Sequence, residues 1–349
     1  MTGRELIFAA VNGVSANRLP FMPLNSAYAR RCIGVDLEEY ISDYRVLVKG
    51  QLAFAEKFHS DYVSVVSKPS IEAEDYRELY PLLPEESLNE TGEFALFNRK
   101  EGIYTAMEGD YYQGRLMTER LKAITEFRRT VGGSLLVEGW VEGAALGASI
   151  TWGTSRLLMD FYDDPAFVKQ LLEYVAGNQI EFLRRQIEAG AESIGVGEPV
   201  SSLLGPDLFT EFLVPLHMRY VSAIHDAGAL ARLHICGNIM PLFPVLEDIP
   251  YDIIDLDSPS QIGAARSVLG PDRVLLGNID PVSMVRDGTP ASISAALETC
   301  FEEAGGHRYI VGAGCEIPYD TPEENILAMS EFAGSHKPYF AGLFVAGEM

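Results

Sequence analysis

The amino-acid sequence predicts an α/β fold of the (β/α)8 TIM-barrel class, and three observations support this prediction. Short apolar runs that end in Gly, Asp, Asn or Glu alternate with longer stretches of helical periodicity, most regularly from about residue 130 onward. With two runs nearer the start, such segments number eight. A length of 349 residues suits one large barrel. We therefore expect residues 1–349 to form a single barrel domain.

The predicted strands are the apolar runs bounded by turn-forming residues. They lie at residues 19–24, 62–66, 134–138, 193–197, 231–236, 253–256, 274–278 and 309–312. The predicted helices between them include residues 37–58, 164–189, 206–227, 241–246, 261–268, 290–304 and 322–332. Several of these helices begin with Pro near the first position and a carboxylate in the first turn, which is typical of a helix start.

Residues 67–130 interrupt this rhythm because they are polar and rich in Glu and Tyr. We interpret them as an elaborated loop after the second strand, with a hairpin around residues 94–107. Long insertions at the carboxyl ends of barrel strands usually build the substrate pocket. Tyr104, Tyr111 and Tyr112 of this insertion could line a pocket for an aromatic ring.

Composition excludes several classes of function. The chain has 50 acidic residues against 27 basic ones, a net charge of −23, so it would repel nucleic acid and anionic membrane surfaces. The first residues lack a signal-peptide core, and no stretch reaches the roughly 18 apolar residues that span a bilayer. Four irregularly spaced cysteines suit a reducing compartment. We expect a cytoplasmic protein.

The strongest chemical signal is the His-Ile-Cys sequence at the end of the fifth predicted strand. Residues i and i+2 of a strand share one face, so His234 and Cys236 can point at one spot. Cys315 follows the eighth predicted strand, and strand carboxyl ends meet at the same end of a barrel. One imidazole and two thiolates with an open fourth position are what a catalytic Zn²⁺ requires.

The alternative is that His234 is a hydrogen-bonded core histidine and that both cysteines are small buried apolar residues. Packing alone does not explain a thiol at Cys315, which lies in a glycine-rich turn after the last strand. Cys300 ends a helical stretch and is interpreted as core packing. The sequence therefore favours a metal site at His234, Cys236 and Cys315.

Other polar residues stand at predicted strand ends, where barrel enzymes place their chemistry. Glu198, Glu142 and Asp257 are candidate catalytic residues. Asn278 and Asp280 are candidate contacts of a cofactor. Glu198 has three interpretations: a fourth metal ligand, a general base, or a residue that supports His234 from behind. Glu316, which follows Cys315, is a weaker alternative ligand.

At these positions the chain resembles the uroporphyrinogen decarboxylase superfamily, and within it the zinc-dependent cobamide methyltransferases. The motifs that carry the resemblance are Glu-Pro-Val-Ser-Ser at 198–202, Gly-Pro-Asp-Leu-Phe at 205–209, Leu-His-Ile-Cys-Gly-Asn at 233–238, Gly-Asn-Ile-Asp-Pro at 277–281 and Gly-Cys-Glu-Ile-Pro-Tyr-Asp at 314–320. The resemblance implies that His234, Cys236 and Cys315 bind zinc. In the decarboxylase branch the His-x-Cys pair is missing and a His occupies the position of Cys315.

The resemblance also implies a partner. Such methyltransferases do not carry the corrinoid (methylcobamide) themselves, and this sequence has no Asp-x-His-x-x-Gly motif that would ligate cobalt. A separate corrinoid protein is therefore expected. The chain departs from the coenzyme M enzymes at Glu198, where they tend to have Asp, at Glu316, where Gly is usual, and at Ala144, which replaces a Pro. These departures leave the small substrate open.

Three functions follow in order. The first is zinc-dependent methyl transfer between a corrinoid protein and a small molecule, either a thiol acceptor such as coenzyme M or a methyl ether donor as in O-demethylases. The second is a metal-free decarboxylase, which would need an arginine cluster; residues 22–31 depart from the arginine motif of that branch. The third is a non-catalytic zinc or corrinoid-binding module, which would need a closed four-ligand site.

Overall fold

The computed structural model of the protein describes residues 1–65, 75, 95–109 and 113–339. Seven parallel strands form one sheet in chain order. They are β1 Tyr62–Ser64, β2 Leu136–Glu142, β3 Ser193–Gly197, β4 Leu230–Ile235, β5 Ile253–Leu256, β6 Val274–Ile279 and β7 Tyr309–Ala313. Each parallel neighbour is reached through a crossover, and helices lie in these crossovers. The predicted α/β architecture with a parallel sheet is confirmed.

The first predicted strand, residues 19–24, is not a strand of this sheet. It makes one isolated bridge, between Phe21 and Val311 of β7. Met22 N and Val311 N donate across this bridge at 2.9 Å each, and Asp61 N, just before β1, donates to Phe21 O at 3.0 Å. The segment thus hydrogen-bonds to both edges of the sheet. Pro20 and Pro23 lack amide hydrogens, so a full ladder cannot form there.

Most predicted strand bounds agree with the structure to within one or two residues, and the main difference is β2. It continues to Glu142 rather than ending at Glu138, and all seven of its residues are buried. A charged side chain at Glu138 did not end the strand because Arg232 neutralises it inside the protein. As a result Glu142, and not Glu138, lies at the carboxyl end of β2.

The structure has more helices than were predicted. The α-helices are Gly3–Asn12, Ser26–Ile33, Leu37–Ser42, Tyr44–Phe58, Lys100–Ala106, Arg115–Val131, Ala144–Trp152, Thr154–Asp163, Pro165–Ala189, Pro206–Leu208, Val214–Asp226, Phe243–Leu246, Ile262–Leu269, Pro290–Glu303 and Glu323–Ser335. Short 3-10 turns lie at Pro199–Leu203 and Met240–Leu242, and π-helical turns lie at Phe209–Leu213 and Pro281–Arg286. The helix predicted at 37–58 is two helices, because the Asp43 side chain accepts from Arg45 N and starts a new one.

The hairpin predicted around residues 94–107 is wrong. Lys100–Ala106 is a helix, and Arg115–Val131, also expected to be loop, is a 17-residue helix. Its buried side chains recur every three or four residues from Leu116 to Phe127, which is the periodicity of an amphipathic helix. Residues 66–74, 76–94 and 110–112 lie outside the described residues, and the predicted pocket residues Tyr111 and Tyr112 are among them.

Two apolar layers pack on the two faces of the sheet. The inner cluster joins Ile7 of the first helix to alternate strand residues, namely Met22, Tyr62, Leu136, Ile253, Val274, Leu276 and Ile310. The strand residues between them, such as Val137, Ile254 and Val311, belong to the large cluster shared with the helices. No helix in the described part of the chain is long and apolar enough to cross a membrane.

Candidate metal centre

β4 carries three interior side chains in a row because its residues alternate between the two faces of the sheet. Arg232 and His234 lie within the strand, and Cys236 follows its last residue. His234 is only 4% exposed, while Cys236 is half-buried. The His-x-Cys spacing therefore brings an imidazole and a thiol to the same opening at the carboxyl end of β4.

Cys315 reaches this opening from the loop after β7. Gly314 permits the approach, because a Cβ there would lie 2.4 Å from the Ser258 amide nitrogen of the loop after β5. The Cys236 and Cys315 sulfurs lie 3.6 Å apart, and His234 Nε2 lies 3.2 Å from the first and 3.8 Å from the second. These three atoms form the one group among the described residues whose His, Cys, Asp or Glu ligand atoms suit a metal ion.

The three atoms can hold a cation that prefers nitrogen and sulfur. They belong to one imidazole and two thiols, and the distances between them leave room for one shared ion. They come from two strand ends, which places the cluster at the end of the barrel where such enzymes do their chemistry. The geometry agrees with the expectation for His234, Cys236 and Cys315.

Charges around the cluster favour a thiolate on Cys315. A hydrogen bond from Cys236 and another from His234 lower the pKa of Cys315 to about 5, although burial opposes the shift. The same contact with Cys315 raises the pKa of Cys236. Burial lowers the pKa of His234, but the Asp255 carboxylate outweighs it and raises that pKa to about 10. Without a metal, the cluster would pair an imidazolium with a thiolate.

A buried ionic chain lies behind His234, and sequence reasoning missed it. His234 Nδ1 lies 3.1 Å from an oxygen of Asp255 on β5, which also accepts from Arg232. Arg232 donates from its other nitrogen to Glu138 of β2 at 2.8 Å. Two signals were available: Arg232 precedes His234 by two residues, and Asp255 interrupts an otherwise apolar strand.

Trp140 of β2 is a second residue that sequence reasoning missed. Its indole ring is 4% exposed, and its centroid lies 6.4 Å from that of the His234 ring. Gly195 and Gly197 of β3 make room for it, since a Cβ at Gly195 would lie 2.2 Å from the indole. A Gly-x-Gly pattern in one strand beside a tryptophan in the previous one could have indicated this packing.

Glu198 lies directly after β3 and is completely buried. Its two carboxylate oxygens accept from Leu146 N at 2.8 Å and Ala145 N at 3.2 Å, so it caps the helix Ala144–Trp152. Burial raises its pKa to about 8, and nearby Glu142 adds to the shift. Its side chain is outside the three-residue cluster. A catalytic role for Glu198 stays a prediction.

Glu142 and Asp257 also stand at strand ends. Glu142 ends β2 and is 2% exposed. Asp257 accepts from Gly237 N and Ser258 N, each at 2.6 Å, and so ties the turn after Cys236 to the loop after β5. This contact helps to fix the Cys236 backbone. The catalytic roles predicted for both residues remain predictions.

Asn278 and Asp280, the candidate cofactor contacts, bond to nearby backbone. Asn278 donates to the carbonyl oxygens of Asp257 and Ser260. Asp280 accepts from Val282 N and Ser283 N and caps the π-helical turn Pro281–Arg286. Both residues shape the loops around the cluster, and direct contact with a cofactor stays a prediction.

Glu316, the weaker ligand candidate, is directed toward another part of the chain. Its carboxylate accepts from Ala27 N at 2.5 Å, and Ile317 N donates to Leu24 O at 2.9 Å. These two bonds join the Cys315 loop to the segment that follows Pro23. Arg30, on the helix that begins at Ser26, lies over the ring of Tyr319 at 4.2 Å.

Curated proteins from two branches are similar to this chain. Methylcobamide:CoM methyltransferase MtbA of Methanosarcina mazei is 27% identical over 172 residues, which cover 49% of this chain and 50% of that protein. Uroporphyrinogen decarboxylase of Acidiphilium cryptum is 32% identical over 182 residues, which cover 51% of this chain and 49% of that protein. The chain thus spans about half the length of these relatives.

Solved structures agree with the fold. A methyltransferase from Methanosarcina mazei superimposes with a TM-score of 0.83 at 21% identity and covers 95% of this chain and 98% of its own. A B12-independent methionine synthase from Shewanella sp. W3-18-1 gives a TM-score of 0.59 at 12% identity, covering 91% of this chain and 95% of its own. At these identities the likeness concerns the fold alone.

The family profile named uroporphyrinogen decarboxylase (URO-D) matches residues 2–336. This span includes the parallel sheet, the His234 and Cys236 strand and the Cys315 loop. The sequence motifs that suggested the resemblance fall inside it. The chain therefore belongs to the uroporphyrinogen decarboxylase family.

Proposed function

We propose that this protein is a zinc-dependent methyltransferase that moves a methyl group between a small molecule and a separate corrinoid protein. The observation that carries the proposal is the convergence of His234 Nε2 and the sulfurs of Cys236 and Cys315, all within 4.8 Å of one another. The alternative activity in the family, decarboxylation, assigns no task to two adjacent thiols. Relatives named as methylcobamide:CoM methyltransferases support the same choice.

His234, Cys236 and Cys315 would hold the zinc. A zinc ion bound there would keep a substrate thiol ionised at neutral pH, or polarise an ether oxygen, through the position that three protein ligands leave open. The protein's own contribution is to fix the three ligands and to keep water away from the buried side of the cluster. Asp257 helps by holding the backbone of Gly237, next to Cys236.

Glu198 is proposed as the group that holds a proton near the cluster. Burial raises its pKa to about 8, so it is mostly protonated at neutral pH and can donate. Glu142 lies close enough to raise that pKa further. Asp257 remains an alternative, although its oxygens already accept backbone hydrogen bonds.

The corrinoid would arrive on a partner protein, because these residues contain no motif that would ligate cobalt. Asn278 and Asp280 are proposed to shape the loops that face it. Both directions of transfer remain candidates: to a thiol such as coenzyme M, or from a methyl ether. Tyr104 is 43% exposed on the helix Lys100–Ala106, with its ring edge against Phe167.

We also infer that the sheet closes as an eight-stranded barrel in a single domain over residues 1–349. Support for closure comes from Phe21, which is bonded to Val311 on one side and to Asp61 on the other. Support for one domain comes from the family match over residues 2–336.

The first test is metal content and methyl transfer. We expect about one zinc per chain in protein purified without chelators, and a loss of zinc in Cys315→Ala because one of three ligands is removed. Cys300→Ala is the matched control, since Cys300 is a half-buried cysteine outside the cluster. The zinc protein should methylate or demethylate free cobalamin with thiols or aryl methyl ethers.

Two results would oppose the proposal. Equal zinc in Cys315→Ala and Cys300→Ala would remove the metal site. A zinc-free protein that releases carbon dioxide from a porphyrinogen carboxylic acid would instead favour decarboxylation, the activity in the name of the Acidiphilium cryptum relative.

A further inference from the structure

Four charged side chains form a continuous buried chain across the interior of the sheet. It runs from His234 on β4 to Asp255 on β5, then to Arg232 on β4 and Glu138 on β2. The side chains of Asp255, Arg232 and Glu138 are 0% exposed. Only His234 touches the thiol cluster, so the other three residues lie below the site rather than in it.

The position of Asp255 distinguishes it from a metal ligand. Its oxygen lies 3.1 Å from Nδ1 of His234, whereas the thiols lie around Nε2 on the other side of the ring. A neutral imidazole carries its proton on one nitrogen and offers the lone pair of the other. A carboxylate at Nδ1 keeps the proton there and leaves Nε2 free for a cation.

Arg232 and Glu138 explain how Asp255 keeps its place. An isolated carboxylate in the interior would be costly, and the Arg232 fork compensates it while reaching Glu138 Oε1 at 2.8 Å. The Arg232 guanidinium carbon lies 5.6 Å from the Trp140 ring centroid and 6.0 Å from that of Tyr62. Ser193 adds a hydrogen bond to the other Glu138 oxygen at 3.4 Å.

Stability alone does not account for this arrangement. A buried ionic network is often no more stabilising than apolar side chains of the same volume, because three desolvated charges must first be compensated. The layer directly below is filled by such apolar side chains, including Leu136, Ile253 and Leu276. The charges begin where the strands approach His234, which points to a task at that residue.

We propose that Asp255 is a positioning residue that holds His234 with Nε2 toward Cys236 and Cys315, and that Arg232 and Glu138 anchor it. The proposal rests on the metal site of the proposed function and extends it to three residues that contact neither metal nor substrate. Asp255 sets which nitrogen binds. Arg232 sets where Asp255 lies.

The test measures zinc affinity by competition with a chromophoric chelator in the full chain. Asp255→Asn keeps an oxygen acceptor but loses the charge, and Asp255→Ala loses both. We expect zinc binding to weaken about 10-fold in the first and up to about 100-fold in the second, the range typical of residues that orient a metal-binding histidine. Thermal unfolding and circular dichroism establish that each variant is folded.

Asp61→Asn is the matched control. Asp61 is also a buried carboxylate, 2% exposed, paired with Arg18 through two hydrogen bonds of 2.5 and 2.7 Å, but it lies before β1, at the opposite end of the strand from the cluster. It should lose stability while keeping the zinc affinity of the wild type. Equal affinity in wild type, Asp255→Asn and Asp255→Ala would overturn the positioning role.

A second measurement does not depend on a variant that folds. In zinc-loaded wild type labelled with ¹⁵N-histidine, the His234 ring should show a protonated Nδ1 and a metal-bound Nε2, the signal being assigned by its loss in His234→Gln. Zinc on Nδ1 would overturn the proposal. If wild type binds no zinc at all, the proposed function fails, whereas zinc binding that ignores Asp255 fails only the positioning role.

Discussion

Glu198 shows how one residue can be both structural and reactive. Its carboxylate accepts two amide hydrogens at the start of the helix Ala144–Trp152, and these bonds favour the charged form. Complete burial favours the neutral form more strongly, and the pKa rises to about 8. Gly143 cannot become a larger residue, because a Cβ there would lie 2.0 Å from a Glu198 oxygen.

The raised pKa of Glu198 makes stability depend on pH. Since the folded state holds the proton more tightly than the unfolded chain, this contribution is full below about pH 4.5 and is lost as pH rises through about 8. In metal-free protein we expect Glu198→Gln to flatten the fall in unfolding free energy between pH 5 and 8 by on the order of a few kcal/mol. Urea unfolding at each pH measures it.

The control for this prediction is Glu302→Gln, which changes an exposed carboxylate on the helix Pro290–Glu303. Its unfolding free energy should follow the wild-type pH dependence. A wild-type curve that rises with pH over this range and keeps the same slope in Glu198→Gln would contradict the raised pKa.

At the scale of elements, β2 and β3 fit together through a large residue on one and small residues on the other. Trp140 fills the space above Gly195 and Gly197, and its ring then borders the imidazole of His234. The register pairs Trp140 directly with Gly195. The packing between two strands thus shapes one wall of the site on a third strand.

Gly195→Ala should destabilise the protein, because the new Cβ would lie 2.2 Å from the indole and the ring has no free space to move into. Overpacking of this kind typically costs about 1–3 kcal/mol in unfolding free energy. Gly177→Ala is the matched control in the helix Pro165–Ala189, where nothing lies within 4 Å of the added Cβ. It should stabilise by roughly 0.5–1 kcal/mol, because alanine is the better helix former.

Urea unfolding of the two glycine variants checks this pair of expectations. If Gly195→Ala is as stable as the wild type, Trp140 does not occupy the space above β3. If Gly177→Ala is destabilised instead, that helix position is closer to a neighbour than the structure places it.

At the scale of the whole molecule, charge is the dominant property. A net charge of −23 makes the folded chain repel itself, and salt weakens that repulsion within a Debye length of about 10 Å at 0.1 M. We expect the unfolding temperature to rise by roughly 1–3 °C between low salt and 0.3 M KCl. Differential scanning calorimetry of the zinc-loaded protein measures it, with an equal osmolality of glycerol as the control.

A fall in unfolding temperature with KCl would mean that attractive ion pairs outweigh the net repulsion. Several surface pairs are present, such as Lys57 with Glu323 and Arg219 with Glu173. Exposed pairs of this kind each contribute little, typically below about 1 kcal/mol. The net charge should therefore decide the sign.

The sequence alone determined the parallel α/β class and the three ligand candidates. Apolar runs and helix starts are local patterns, and His234 with Cys236 depends only on the two-residue period of a strand. Cys315 could be added because parallel strands end at one side of a sheet. Each of these inferences needs only the order of residues along the chain.

Tertiary structure decided what surrounds those ligands. Glu138 and Arg232 are 94 residues apart in sequence, and Arg232 and Asp255 are 23 apart, so their contact depends on the register of β2 to β5. The capping of Ala144–Trp152 by Glu198 and the reduction of residues 19–24 to a single bridge depend on the same packing. Local propensity does not encode such contacts, because their energy exists only once distant segments are brought together and desolvated.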